Sequence, residues 1–492
     1  MVSAAESRSE NPWREIIYQR FRGLPAPLLC FPDGIIPAAS IWTGSRVWLD
    51  ALRASGLLPG DRVACALPPC PAFVQLLLAA LWEGYTLALL PEGHVSEETL
   101  SSLDIRLLIA DQPDAGLRRD HDNLPEHSAR PALRPVKSSP TPHIQLLARG
   151  SGTSGVSKWV ALSAANLLSV VRSHSPLLAL EEARVLSVLP WHHLFGLVIE
   201  LLPALFAGAE IIRAERGGRD PRELLTLGLE HQVTHLNAVP LTFLRLLEQP
   251  EGEALIRSLR GGVVGGAPIS QYLATALHGT RLRVGYGQTE AAPGIALGEP
   301  GAFFEGCLGS ALGCETRVTK EGMLEFRGPN LCLGLWGHAQ LVAQDPEGWR
   351  CTGDLVEATT LGLRFVARAD DCFKLANGRM VTPAAIESAL RAKAPEHARF
   401  WVFTADNETL SLLYGSKGGT YAPSPTDLRA AFGGLFHLLH EVRALPSSEF
   451  HHTAKGELDR RAMRLALHGR GTLPLEGLSA PVPSLEKQLS RS

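Results

Sequence analysis

No Cys-x-x-Cys pair occurs in the chain, and its eight cysteines, at positions 30, 65, 70, 307, 314, 332, 351 and 372, form no metal-ligand cluster with histidine in sequence. That absence argues against a zinc module or a disulfide framework and for reduced thiols in a cytoplasmic protein. A charge excess is missing too: 47 Lys+Arg stand against 50 Asp+Glu, a net charge of −3. Nothing global therefore marks a nucleic-acid or anionic-membrane partner. Long apolar runs are also lacking. Residues 73–82 are too few to span a bilayer, and 194–212 are interrupted by Glu200, Pro203 and Glu210, which reads as buried core. The opening stretch MVSAAESRSENPWRE carries charge with no apolar segment behind it, unlike a secretory leader. No internal repeat is found.

What is present is an ordinary globular composition, 45% hydrophobic and 20% charged, over 492 residues. That length suggests roughly two to four domains. Helical spacing over 41–56 is followed by DRVACAL as a strand, PAFVQLLLAALWEG as a helix and TLALL as a strand. Such alternation predicts βαβ units and a mainly parallel sheet. Residues 111–143 are polar and proline-rich and read as a long surface connection. The alternation resumes at IQLLA and continues through LLSVV, ARVLSVLP, PRELLTLGL and THLNAVP. Beyond about 355 short strands lead into a helix, PAAIESALRAK. The expected architecture is α/β. A large domain over 1–369, with mixed and parallel sheets sandwiched by helices, precedes a small mobile α+β domain over 371–470. The tail from 471 to 492 is expected to be loose.

The segment GSGTSGVSKW, 150–159, puts glycines, hydroxyls and one lysine directly after the apolar run 144–148. Converging N–H groups of such a turn, with Lys158, suit anionic oxygens. The spacing is not GxxxxGK[ST], because Lys158 follows Gly155 by three and Trp159 replaces the magnesium-binding hydroxyl. Taken alone, phosphate binding and a plain turn between two strands remain equally open. In VGYGQTEAAPG, 284–294, a ring that can stack on a base precedes a hydroxyl and a carboxylate; a tight strand-to-loop turn is the competing reading. In GWRCTGDLVE, Asp354 follows Gly353 at an expected strand end, where carboxylates accept ribose hydroxyls or simply make turns.

Taken in order, these stretches resemble the adenylate-forming superfamily of acyl-CoA synthetases, aryl-CoA ligases, luciferases and adenylation domains. SGTSGVSK (151–158) resembles its phosphate loop and LPWHHLFG (189–196) its aromatic-histidine motif. VGGAP (264–268), GYGQTE (285–290), LEFRGPNLCLGLW (324–336), GWRCTGD (348–354) and ARADDCFKLANGRMVTPAAIE (367–387) follow in the family's order. The resemblance runs from about residue 40 to 465, and it makes 150–159 a phosphate loop of a design other than the P-loop.

The resemblance implies attack of a carboxylate on the α-phosphate of ATP, then displacement of AMP from the acyl-adenylate by a thiol, that of CoA or of a pantetheine on a free acyl carrier protein. Charge neutralisation by magnesium, a lysine and loop N–H groups would dominate such chemistry. Carried over, Ser151, Gly152, Thr153, Ser154, Gly155 and Lys158 hold the β- and γ-phosphates. Tyr286, with Gly287 beside it, stacks on adenine, and Gly265, Gly266 and Ala267 lie along its edge. Thr289 meets the α-phosphate and Glu290 binds Mg2+. Asp354 and Arg368 hold the ribose, Asp370 is the hinge, and Gly378 lines the thiol tunnel.

The family's adenylation lysine follows a glycine, whereas HHTAKGELDRRAM has Lys455 before Gly456, with Glu457 in the family's lysine register. Lys455 is the candidate as the one lysine of this segment; a solvated surface lysine is the bland reading. Arg460 and Arg461 would not replace it without altered geometry. His193 matches the histidine at the acyl pocket, with Trp191, His192 and Phe195 around it. No acidic residue lies between Trp191 and Val198, so an α-ammonium would be left unpaired, at a cost of several kcal/mol. Amino acids are therefore disfavoured. The further pocket candidates Asn237, Val239, Leu241, Ala292, Pro293 and Gly294 are small or apolar and allow an aromatic or medium-chain acid, with a slight lean to an aryl acid. An aryl- or acyl-CoA ligase is the expectation. A carrier-protein ligase, an amide-forming enzyme and a catalytically degenerate nucleotide-binding relative are the alternatives.

Overall fold

The computed structural model describes residues 11–21, 28–93, 95–110, 143–150, 158–337, 339–395, 398–416, 419, 421–453 and 458–469. The chain divides into two compact units. The first takes in residues 1–319, 324–352 and 358–364, and the second 320–323, 353–357 and 365–492. The division falls within the consecutive strands Arg350–Thr359 and Gly362–Arg368.

Two sheets of the first unit follow the alternation of its sequence. In one, Leu107–Ala110, Arg62–Ala66, Thr86–Leu89 and Leu146–Arg149 run parallel, and Trp159–Leu162, Gly334–Gly337 and Gln340–Ala343 extend the sheet antiparallel. Strand 62–66 is buried along almost its whole length, which is why it reads as a continuous apolar run rather than alternating. Helix Pro71–Glu83 starts on a proline, whose missing N–H costs nothing in the first turn, and ends at Gly84. Eight of its residues are buried, and it packs on helix Ala38–Ala54. Trp13, Phe73, Tyr85 and Trp191 are among the fully buried side chains of the resulting core.

A second sheet has the order His235–Asn237, Arg184–Ser187, Glu210–Arg213, Leu28–Phe31, Gly34–Pro37, parallel except for the last hairpin. A third begins Val263–Gly265, Arg283–Gly287, Gly294–Leu297, Cys307–Ala311. The segment LLSVV, met in the sequence as part of a strand–helix alternation, lies inside helix Ala164–His174. Its Ser163 cap and Asn166 form a reciprocal capping box.

In the second unit strands Arg399–Phe403, Leu410–Gly415 and Leu439–Ala444 form a sheet. Helices Pro383–Arg391 and Pro425–Phe432 pack with it around Phe400, Leu412 and Leu428. Among the described residues no helix is long and apolar enough to cross a membrane.

Candidate active site

Strands Leu146–Arg149 and Trp159–Leu162 pair antiparallel with Arg149 opposite Trp159, and Gly150 N–H donates to Lys158 O at 2.8 Å. Gly150 and the exposed Lys158 thus face each other where the two paired strands end. Ser151, Gly152, Thr153, Ser154 and Gly155 lie outside the described residues, as do Lys455, Gly456 and Glu457.

The aromatic-histidine motif opens a rare element, a π-helix over Phe195–Leu201 that runs into helix Leu202–Ala207. Such helices concentrate at functional sites. Four carried-over residues from three distant segments meet here. A Cβ built on Gly265 would lie 3.6 Å from Phe195 Cζ, and one on Gly266 would lie 3.5 Å from Val239 Cγ1 and 3.9 Å from Phe195 Cδ1. The Gly265 Cβ would also stand 2.6 Å from Gly285 O, so any larger residue would push apart the parallel strands bearing the two glycine motifs. Gly266 adopts φ +84°, left-handed backbone that a side chain would strain. Ala267 beside it is half-buried.

The histidines themselves differ. His193 is exposed and His192 half-buried, their ring centroids 4.4 Å apart. Burial, and secondarily the neighbouring His193, pull His192 down to about 4, so it is neutral at ordinary pH. Trp191, by contrast, is fully buried against Phe31 and Phe73. Its indole Nε1 donates to Ser187 Oγ at 3.2 Å, which places it in the core. Asn237 is buried as well, and its Oδ1 accepts the Val263 N–H at 2.9 Å, locking the strand before Gly265. Leu241 lies in helix Pro240–Leu247, just past Val239.

Behind the motif sits a buried polar cluster that no sequence motif marks. Ser187 Oγ donates to Glu200 Oε1 at 2.6 Å, and Arg213 Nη1 donates to Ser187 Oγ at 3.2 Å and Leu189 O at 2.7 Å. Glu200 and Arg213 are both buried, so the guanidinium anchors the chain at the residue where the motif begins. Glu200 is engaged with Ser187 and so gives an acyl pocket no free acid.

Strand Arg283–Gly287 delivers Tyr286, half-buried against Ala291, Ile295, Phe326 and Leu331. Thr289 and Glu290 follow in a single 3-10 turn. Gly287 pairs with Gly294, and a Cβ on Gly287 would collide with Pro293 O, so this hairpin end admits only glycine. Ala292 is buried and Pro293 half-buried, and Asn330 Nδ2 donates to Gly294 O at 2.7 Å. Glu290 Oε1 stands 3.5 Å from Arg350 Nη2, whose other nitrogen donates to Gln344 at 2.7 Å. Arg350 sits inside the quoted GWRCTGD, yet only the fold brings it to Glu290. Gln288 Nε2 is buried without a hydrogen-bond partner in this turn. An orphaned donor beside a hydroxyl and a carboxylate is the donor set that a phosphate-bearing nucleotide with Mg2+ fits.

In the second unit Asp354 is not at a strand end, as its sequence suggested, but inside the ten-residue strand Arg350–Thr359. The strand continues through Gly353, which takes φ +79° in mid-strand. A Cβ there would come within 3.0 Å of Arg368 Nη2. The space is used: Arg368 Nη1 donates to the buried Asp354 Oδ1 at 2.9 Å, and Nη2 lies 3.8 Å from Asp370, which is largely exposed. Asp354, Arg368 and Asp370 are therefore one cluster. Gly378 makes the exposed turn between Phe373–Lys374 and Met380–Val381. Arg460 clamps Glu387 with two bonds of 2.8 and 2.6 Å and meets Asp371 at 3.3 Å. It is spent on structure.

A family model for AMP-binding enzymes matches residues 50–336, more than half of the chain. Feruloyl-CoA synthase of an Amycolatopsis species is 27% identical over 373 residues, 69% of this chain and 75% of that one. Anthranilate–CoA ligase of Pseudomonas aeruginosa is 28% identical over 381 residues, 69% and 72% of the two chains. The crystal structure of ATP-bound MatB from Rhodopseudomonas palustris superposes with a TM-score of 0.75 at 21% identity, covering 92% of this chain and 98% of that one. With its ordered motifs and this match, the chain belongs to the AMP-binding enzyme family, the adenylate-forming superfamily of acyl- and aryl-CoA synthetases.

Proposed function

We propose that the chain is an AMP-forming acid–thiol ligase, which joins a small carboxylic acid to ATP as an acyl-adenylate and transfers the acyl group to CoA. The observation that carries this reading is the meeting of Phe195 and Val239 with Gly265 and Gly266. It joins the aromatic-histidine motif to the glycine motif in one place. Relatives named as feruloyl-CoA synthase and anthranilate–CoA ligase support an aromatic acid. The lack of an acid between Trp191 and Val198, with Glu200 already bound to Ser187, argues against an α-amino acid.

In this reading Tyr286 and Gly287 take the adenine, Gly265 to Ala267 its edge, Thr289 the α-phosphate and Glu290 the Mg2+. Asp354 and Arg368 hold the ribose, and the loop from Ser151 to Lys158 holds the outer phosphates. His193 orients the acid at a pocket bounded by His192, Phe195, Asn237, Val239, Ala292, Pro293 and Gly294. Lys455 neutralises charge building on the α-phosphate, a contribution typically worth about 10²- to 10³-fold in rate. Asp370 is the hinge between the half-reactions, Gly378 lines the thiol path, and a free acyl carrier protein is the other acceptor of the right chemistry.

The test is pyrophosphate release with ATP, Mg2+ and a panel of benzoates, anthranilate, cinnamates, fatty acids and amino acids, with and without CoA. An aromatic acid giving both pyrophosphate and a CoA thioester is expected. Lys455→Ala should lose adenylate formation at least about 100-fold while still binding ATP. Unchanged release by that variant overturns the lysine's role, and silence of the wild type across the panel overturns the reading itself.

A further inference from the structure

Cys30, Glu210 and His231 stand 180 and 21 residues apart in the chain, so no spacing in the sequence joins them. The fold does. Cys30 lies in strand Leu28–Phe31, which runs parallel beside Glu210–Arg213 with Cys30 opposite Ile212. His231 caps helix Pro221–Glu230, its backbone N–H held by Leu227 O at 3.0 Å. The Cys30 Sγ–H donates to Glu210 Oε1 at 3.2 Å, and one ligand atom from each of the three residues lies within 4.8 Å of the other two. Among the described residues this is the one such group of His, Cys, Asp and Glu.

We propose that Cys30, Glu210 and His231 form a transition-metal site, selective for Zn2+, separate from the nucleotide–magnesium site. A tetrahedral zinc with bonds of about 2.3 Å to sulfur and about 2.0–2.2 Å to nitrogen and oxygen holds its ligand atoms roughly 3.3–3.6 Å apart. The thiol–carboxylate pair, at 3.2 Å, stands just inside that separation, and bringing the third ligand atom from within 4.8 Å takes at most about 1.5 Å of side-chain movement, within the reach of rotamer adjustment. The donor set is sulfur, nitrogen and one carboxylate oxygen. That mixture selects zinc or cobalt over magnesium, which demands an octahedron of oxygens. Cys30 is buried while Glu210 and His231 are half-buried, so the sulfur is shielded and an entry path remains.

Binding is balanced simply: the metal forms a bond to the Cys30 sulfur, the S–H bond breaks and its proton leaves to solvent, with no change of oxidation state. A fourth position is left for water. The bound ion would tie the hairpin 28–37 to its neighbouring strand and to a helix end, a structural clip on an edge of the sheet.

The test uses the full chain, stripped with chelator and titrated with Co2+ in the absence of nucleotide. One equivalent should produce a thiolate-to-cobalt charge-transfer band and the visible bands of tetrahedral cobalt, and Zn2+ should displace both. Cys30→Ser should abolish the charge-transfer band, and His231→Ala and Glu210→Gln should each weaken Co2+ binding at least about tenfold. Cys351→Ser, which alters an exposed thiol elsewhere, should change nothing. If Cys30→Ser does not fold, the half-buried His231 and Glu210 variants decide. No band in the wild type, a band that survives in the Cys30 variant, undiminished affinity in the other two, or loss of the band in Cys351→Ser overturns the site. Failure here leaves ligase activity untouched, so the two readings fall separately.

Discussion

Glu200 gives a pH dependence of stability whose sign and size follow from its surroundings. Its carboxyl is 1% exposed, Oε1 accepts the Ser187 hydroxyl at 2.6 Å, and Oε2 is buried with no partner. Burial disfavours the carboxylate and pushes the group from 4.5 up to about 8, which the Ser187 hydroxyl and the Arg213 charge offset only in part. The unfolded chain therefore loses this proton near 4.5 while the folded chain keeps it to about 8. Between those values the unfolded state binds fewer protons, so stability falls as pH rises, and outside them the group contributes no slope. The gap of about 3.5 pH units, at about 1.36 kcal/mol each, sets a ceiling of about 5 kcal/mol. Glu200→Gln keeps the Oε1 acceptor and the shape of the protonated acid but removes the titration. Urea-unfolding midpoints of both proteins across about pH 5 to pH 8 should show the wild type losing several kcal/mol relative to the variant. Parallel curves would refute the reasoning. A wild type that instead gains relative stability with rising pH would mean that Glu200 is an ionised partner of Arg213.

Three further substitutions test the geometry elsewhere. Gly287→Ala puts a methyl against Pro293 O; displacement of the hairpin bearing Tyr286 and Glu290 should cost ATP affinity about tenfold or more, read by calorimetry, and an unchanged affinity would contradict it. Arg460→Ala leaves the buried Glu387 without its cation and should destabilise the second unit by about 3–5 kcal/mol in thermal unfolding, with Arg460→Lys intermediate because an ammonium keeps the charge but lacks the planar fork that meets Glu387 and Asp371 together. Glu290→Gln should raise the Mg2+ concentration for half-maximal pyrophosphate release about tenfold or more; the same requirement in both proteins would remove Glu290 from the metal.

Regular elements were legible wherever periodicity is local. The helix over Pro71–Glu83 announces itself by a proline start, an apolar body and a glycine end, all within fourteen residues. Strands such as Arg62–Ala66 show as unbroken apolar runs because both faces are covered. The motifs were legible as ordered words, but not which atoms each one uses. Asp354 looks like a strand end because glycine weakens a strand, and the Arg368 guanidinium packed beside Gly353, the partner of Asp354 fourteen residues on, leaves no local signal. Partnerships such as Arg213 with Ser187 and Leu189 behind the histidines, or Arg350 with Glu290, leave no periodic trace, since the chain must fold before the groups meet. The same limit bears on the displaced lysine. Read as letters, Arg460 could stand in for a cation missing from the family's register at Glu457. Held by Glu387 on two nitrogens and by Asp371 on a third, it cannot leave without stranding two acids, one of them buried. An arginine so engaged is not free to neutralise a phosphate, which supports the proposal that Lys455 supplies the positive charge adenylation needs.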